Sequence, residues 1–252
     1  MKVLHISDLH YAKDYQNRGG IYSNLLSKMT NPFAQLQELL TQTSNHYDVV
    51  VVTGDLAEDG TINEYQEIKT SLNQVFACPI IATPGNHDNL HNYIEGYDPL
   101  FKVLEYSDYI FIAFSSASTK NDHGLIEEET IDELDKTLSK YQDKRIILLT
   151  HHHLMQEQFS MPCATYSERF EEVINQHQIF MILTGHTHHA YKGTYLGIPY
   201  YASGSLSFVA DKDDKGLLFY EYPSMTEYEI DNNQIIDKVI KYQGPIKELE
   251  RM

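Results

Sequence analysis

Asn86, His87 and Asp88 follow one another without a spacer, directly after Thr83-Pro84-Gly85. An Asn carbonyl oxygen is a neutral ligand for a hard or borderline cation. An imidazole holds or donates a proton near neutral pH, and a neighbouring carboxylate can fix its orientation. Similar chemistry recurs along the chain. Asp8 and His10 stand two apart, so an extended segment puts both on one face, where they suit a divalent metal. Asp55 follows Gly54, His151, His152 and His153 stand in a row, and His186 and His188 flank Thr187. A polar loop would explain any one of these groups taken singly.

The elements around them decide otherwise. Short apolar runs at 3–6, 49–53, 79–82, 109–114, 146–150 and 179–183 read as buried strands. Val49-Val50-Val51-Val52-Thr53 is the clearest, a continuous run of the kind buried on both faces in a parallel sheet. All but one of these runs deliver a chemically equipped loop at their carboxyl ends. Strand carboxyl ends of an α/β sheet share one edge, where ligands bind. Between them lie helical stripes. Asn31-Pro32 starts one as N-cap and first-turn proline, with Phe33, Leu36, Leu40 and Thr43 on one face. Thr61 and Glu64 form a capping box ahead of Tyr65, Ile68, Leu72 and Val75. A third runs from 127 to 141 on Ile131, Leu134 and Leu138, acidic at its start. A fourth is capped by Ser167 and carries Phe170, Val173 and Ile174. Residues 11–30 read as a long loop, 89–107 as a loop with a short helix, and 154–166 as a loop. After residue 190 the pattern is strands only, with a Gly197-Ile198-Pro199 turn and a hairpin signal at Asp231-Asn232-Asn233. The expectation is α/β, then antiparallel β, in one domain over 1–252.

Charge and composition narrow the partners. The chain of 252 residues has 36 acidic against 19 basic side chains, a net charge of −17. Such a surface repels polyanions, so binding to nucleic acid duplexes is not expected. Cys78 and Cys163 make no disulfide framework. No apolar run is long enough to span a membrane, and the N-terminus has no signal-peptide pattern; a cytoplasmic protein is the expectation. The ligand set is oxygen and imidazole without thiolate, which favours Mn, Fe or Zn over a structural cysteine site. It also exceeds what one tetrahedral ion takes, and two ions sharing a bridging carboxylate would use it fully.

In this order, Asp8-x-His10, Gly54-Asp55, Gly85-Asn86-His87-Asp88, His151 and Gly185-His186-x-His188 resemble the calcineurin-like metallophosphoesterases, from the first strand to about residue 205. The resemblance implies a two-sheet sandwich flanked by helices, the αββα arrangement, with two divalent or mixed-valence metal ions at the sheet ends. It implies Asp8, His10 and His188 on the first ion, Asn86, His151 and His186 on the second, and Asp55 between them. His87 would be the catalytic histidine and Asp88 its partner. The family's histidine-proline after the strand at 146–150 is here a triplet without proline; His151 is aligned as the ligand, with His152 and His153 as alternatives. The reaction implied is in-line attack on phosphorus by a hydroxide bridging ions about 3.5–4 Å apart, on a small phosphoester. The 54–60 run and the 154–164 segment resemble the cyclic-nucleotide phosphodiesterase branch. Another phosphodiesterase or phosphomonoesterase, and a non-catalytic scaffold of the same fold, are the competing readings.

Overall fold

The computed structural model describes residues 1–17, 22–44, 46–118, 123–155 and 163–252. Strands β1 (Lys2–Ile6), β2 (Val49–Thr53) and β3 (Ile80–Thr83) lie parallel and adjacent. The valine run of β2 is buried throughout, as its composition requires. Helix α1 (Ser23–Leu26) and helix α2 (Pro32–Leu40) connect β1 to β2, and α3 (Ile62–Val75) connects β2 to β3. Asn31 caps α2 through the Phe33 amide, and the Thr61/Glu64 capping box on α3 is formed from both sides. After β3 come α4 (Leu90–Gly96), β4 (Phe101–Tyr106), β5 (Tyr109–Phe114), α5 (Glu128–Lys140), β6 (Arg145–Leu149), α6 (Glu168–Gln176) and β7 (Ile179–Thr184). The chain then gives only strands: β8 (Tyr191–Tyr195), β9 (Ile198–Ala202), β10 (Val209–Asp213), β11 (Gly216–Glu221), β12 (Ser224–Asp231), β13 (Gln234–Lys241) and β14 (Lys247–Arg251).

These strands form a 5-stranded sheet, β13-β12-β1-β2-β3, a 6-stranded sheet, β4-β5-β6-β7-β9-β8, and a 3-stranded sheet, β10-β11-β14. The period of two along each strand shows how the layers stack. Val50 and Val52 face α2 and α3, while Val49 and Val51 face the second sheet. Ile110, Ile112 and Phe114 pack on α5 and α6, while Tyr109, Phe111 and Ala113 meet the first sheet. Three apolar layers result, helix on sheet, sheet on sheet and sheet on helix, which is the expected αββα sandwich.

Several expectations need correction. The 11–30 loop contains α1, whose Leu25 and Leu26, with Met29, are buried against Phe208, Phe219 and Leu249; its Gly19 and Gly20 lie outside the described residues. The 89–107 loop contains strand β4, which alternates weakly and pairs with β5 at the sheet edge. Pro199 sits within β9, and the turn is Leu196-Gly197, both at positive φ. Ser167 occupies the N-cap position of α6 but makes no side-chain cap hydrogen bond. Much of the 154–166 loop, including Met161 and Pro162, is outside the described residues. Among the described residues no helix is long and apolar enough to cross a membrane.

Candidate metal centre

The loops after β1, β2, β3, β6 and β7 meet at one end of the sandwich. Their backbones are unusual: Asp8, His10, Asp55, His186 and His188 all have positive φ, from 47 to 70°. Side chains rarely adopt that region, at roughly 1–3 kcal/mol each, unless the surroundings enforce it. Here they do. The Asp8 amide donates to Gly54 O at 3.1 Å and the His10 amide to Asp55 O at 2.9 Å. The His186 amide donates to the Asp8 carboxylate at 3.2 Å. Ser205 and Ser207, from the loop before β10, both donate to Asp8 O. Gly54 and Gly85 allow the closest approaches: a Cβ on Gly54 would stand 2.4 Å from His151 Nδ1, and one on Gly85 2.2 Å from Asp55 Oδ1.

Asp8, His10, Asp55 and His188 form one buried donor group whose ligand atoms lie within 4.8 Å of one another. His188 Nε2 is 3.3 Å from Asp8 Oδ1 and 3.3 Å from His10 Nε2, and His10 Nε2 is 3.5 Å from Asp55 Oδ2. A second group forms beside it. His151 Nε2 is 3.3 Å from the same Asp55 Oδ2 and 3.1 Å from Asn86 Oδ1. The His186 ring is 5.1 Å from that of His151, and its Nε2 is buried with no hydrogen-bond partner among the described residues. In the triplet, His151 faces Asp55 and Asn86. His152 turns its Nδ1 to Ser116 Oγ at 2.9 Å while its ring stands 4.5 Å from that of His186. His152 also shares a compact donor group with His151 and His186.

This arrangement fits metal ions. The Nδ1 atoms of His10, His151 and His188 lie 2.9 Å from Glu58 Oε2, 2.7 Å from Thr53 O and 2.6 Å from Phe208 O. Each ring then presents Nε2 as a lone pair toward the shared space, the outer-partner pattern of metal-binding histidines. Orphaned His186 Nε2, with nothing to accept or donate to, is costly unless a cation takes it.

The one clear departure is at the opening motif. Asp88 does not orient His87. Its Oδ1 accepts from Ala57 N and Tyr65 Oη, and its Oδ2 from Leu56 N and Gly85 N, at 2.8–3.1 Å. Asp88 therefore laces the Asp55 loop to the Asn86 loop. The carboxylate beside the His87 ring is Glu58, with Nδ1 3.0 and 3.2 Å from its two oxygens. Glu58 thus joins His10 and His87, and only tertiary proximity reveals it.

Residues 1–190 match the family model of the calcineurin-like phosphoesterases. The chain belongs to that family. It is a metal-dependent phosphoester hydrolase with a His/Asp cluster suited to two metal ions. It is 29% identical to a "probable cyclic nucleotide phosphodiesterase" of a Synechococcus strain, over 79% of this chain and 80% of that protein. It is 24% identical to another of that description from Coxiella burnetii, over 77% and 79%. Its fold is similar to a dimetal phosphatase from Danio rerio, with TM-score 0.56 and 13% identity over 96% of this chain and 99% of that one.

The electrostatics of this phosphoesterase keep its donor carboxylates ionised and His186 neutral, while His151, whose burial is outweighed by the Asp55 and Asp8 charges, is raised to about 9, so an ion binding there displaces its proton. Burial disfavours the Asp55 carboxylate, yet His151, His87 and His10 hold its pKa well below the ordinary value. Asp8 is likewise lowered against its burial, by His188 and His151. Burial, with His151 and His152 nearby, keeps His186 neutral. Glu58 resists burial through its bonds to His10 and His87 and is drawn down to about 2. Burial and the Asp55 charge push Asp88 up to about 7, opposed by the amides it accepts from.

Glu58→Gln should therefore lower kcat by roughly 10–100-fold, the usual cost of losing an outer partner, because the amide keeps the shape but not the charge. Steady-state kinetics at saturating metal checks this; a kcat within twofold of wild type would remove Glu58 from the machinery.

Proposed function

We propose that this metallophosphoesterase hydrolyses small phosphodiesters, 3',5'-cyclic nucleotides foremost, at a two-ion centre within a single domain. In this reading Asp8, His10 and His188 hold one ion, Asn86, His151 and His186 the other, and Asp55 bridges them. The observation that carries it is Asp55 Oδ2, within 3.5 Å of His10 Nε2 on one side and 3.3 Å of His151 Nε2 on the other. When bound, the ions supply Lewis acidity and a water acidified enough to be the nucleophile. The chain's residues do the rest. His87 Nδ1 donates to ionised Glu58, so proton exchange with the leaving oxygen falls to its other ring nitrogen. The strained loops hold the donors in place before substrate arrives. The names carried by the relatives support the cyclic-nucleotide assignment.

A substrate panel of cyclic nucleotides, glycerophosphodiesters and phosphomonoesters, run with Mn, Fe and Zn, tests this reading; turnover confined to monoesters would overturn it. Protein loaded with excess Mn should approach two ions per chain by elemental analysis. A stoichiometry held at one, with no weaker second site, would defeat the two-ion assignment. A non-catalytic scaffold is disfavoured by the complete donor set and by His87 standing beside it.

A further inference from the structure

The metal centre has two sides. His87, His186 and His188 line a cavity of about 550 Å³, where a substrate has room. His151 is fully buried, and its Nδ1 donates into the core between the sheets, to Thr53 O at 2.7 Å. The period of two sends Leu4, Ile6, Val50 and Val52 to the helices. The inner faces of β1 and β2 then read Val3 and His5, and Val49, Val51 and Thr53. The apolar core therefore turns polar just beneath the ligands. His5, Ser7 and Thr53 are all fully buried there. Burying polar side chains is costly unless each is hydrogen-bonded, and these are. His5 Nδ1 lies 3.1 Å from Tyr228 Oη, His5 Nε2 2.8 Å from Thr53 Oγ1, and Thr53 Oγ1 2.9 Å from Ser7 Oγ. Ser7 Oγ donates to Thr53 O at 3.1 Å.

The hydrogens available fix the direction of this relay. Ser7 has one hydroxyl hydrogen and gives it to Thr53 O, so Thr53 Oγ1 must donate to Ser7 Oγ. Thr53 then has none left for His5, and His5 Nε2 must be the donor between them. Burial holds the His5 pKa down to about 3, so the ring is neutral, with one N–H, and its Nδ1 accepts from Tyr228. Every donor points the same way, from Tyr228 through His5, Thr53 and Ser7 to Thr53 O, and bonds in such a row polarise one another. That carbonyl is also the partner of His151. The relay ends on the support of a metal ligand instead of closing on itself. Its seat is tight: a Cβ on Gly185 would stand 2.0 Å from Ser7 Oγ and 2.7 Å from Thr53 O. The Gly185 amide in turn donates to His151 O at 2.9 Å. We propose that His5 is a positioning residue for the metal centre: through Thr53 and Ser7 it fixes the Thr53 carbonyl that orients His151, and so sets how tightly the ion at His151 is held. The proposal rests on the reading of His151 as a ligand.

The test uses the full chain and reads Mn affinity by calorimetry, with melting of the metal-free protein recorded on the same samples. His151→Ala should abolish one Mn site and so marks the site in question. Thr53→Val keeps the shape and removes the hydroxyl; it should weaken that site by about tenfold, the lower end of what losing an outer partner outright costs. Any other Mn site should stay as it was. Thr53→Ser, which keeps the hydroxyl, should bind Mn as wild type does. His5→Leu should weaken the same site as Thr53→Val and guards against a folding defect in that variant. A lowered melting temperature with unchanged Mn affinities in Thr53→Val and His5→Leu would make the relay merely structural and overturn the proposal, as would an equal defect in Thr53→Ser. If His151→Ala keeps every Mn site, the ligand reading itself has failed and the proposal falls with it. If His151→Ala loses a site while Thr53→Val and His5→Leu weaken nothing, only the positioning role has failed.

Discussion

Asp55→Asn is expected to empty both halves of the metal centre and reduce turnover by about 10³-fold or more, beyond the 10–100-fold cost of an outer partner. One oxygen, Oδ2, stands between His10 Nε2 and His151 Nε2. The other, Oδ1, accepts the His87 amide at 2.9 Å. The asparagine is isosteric and can keep an oxygen on the His87 amide, so the loop geometry survives. What it loses is the negative charge that offsets two cations in a buried site lined with imidazoles. Elemental analysis after dialysis should find far less than the wild-type metal content, with melting behaviour of the metal-free protein little changed. If Asp55→Asn retained two ions and wild-type turnover, the bridging role would be wrong.

Much of this site was legible because strand ends announce themselves. The valine run of β2 and the apolar runs of β1, β6 and β7 mark strands buried on both faces, and the residue types placed just past them stand out against that background. The alternating strands and helices gave the α/β class, and the sandwich followed from the family resemblance. What escaped notice had weak local signals. β14 reads Lys247-Glu248-Leu249-Glu250-Arg251 and buries chiefly Leu249, so no hydrophobic pattern betrays an edge strand. β4 alternates apolar and polar residues only loosely and is half-buried. α1 spans four residues, too few for a helical stripe.

The miss at Asp88 has a different cause. Adjacent residues in a tight loop project in different directions, so sequence adjacency to His87 carries no contact. Glu58 reads as one acidic residue among several in the 54–60 run, and its role arises from partners 48 and 29 positions away. Asp88 in turn holds the 55–57 and 85–88 loops together, which a sequence pattern cannot display because the donors are backbone amides. The same holds for Ser205 and Ser207, which brace Asp8 from the far end of the chain.

His87→Ala is expected to keep the metal content and lose turnover by roughly 10²–10⁴-fold, the contribution of a general acid. The histidine lines the substrate cavity, and its side chain is 27% exposed, unlike the fully buried His10 and His151. Its Nδ1 is committed to Glu58, whose carboxylate stays ionised throughout the working pH range. That bond sets the ring's orientation, as an outer carboxylate does for a catalytic imidazole. The remaining nitrogen then serves the leaving oxygen, or stabilises charge developing on the phosphoryl group. The two roles are separable by leaving group. A poor leaving group such as an alkoxide needs the proton, so the full loss should appear with cyclic nucleotides or alkyl diesters. Nitrophenolate leaves without it, so the loss should shrink by at least about tenfold with a nitrophenyl diester if proton donation dominates. Because His10 and His87 share Glu58 and their rings meet at 4.6 Å, metal content must be measured on the same sample. A His87→Ala protein that has lost its ions would make His87 part of the metal's support, and an equal loss with both leaving groups would assign it to charge stabilisation alone.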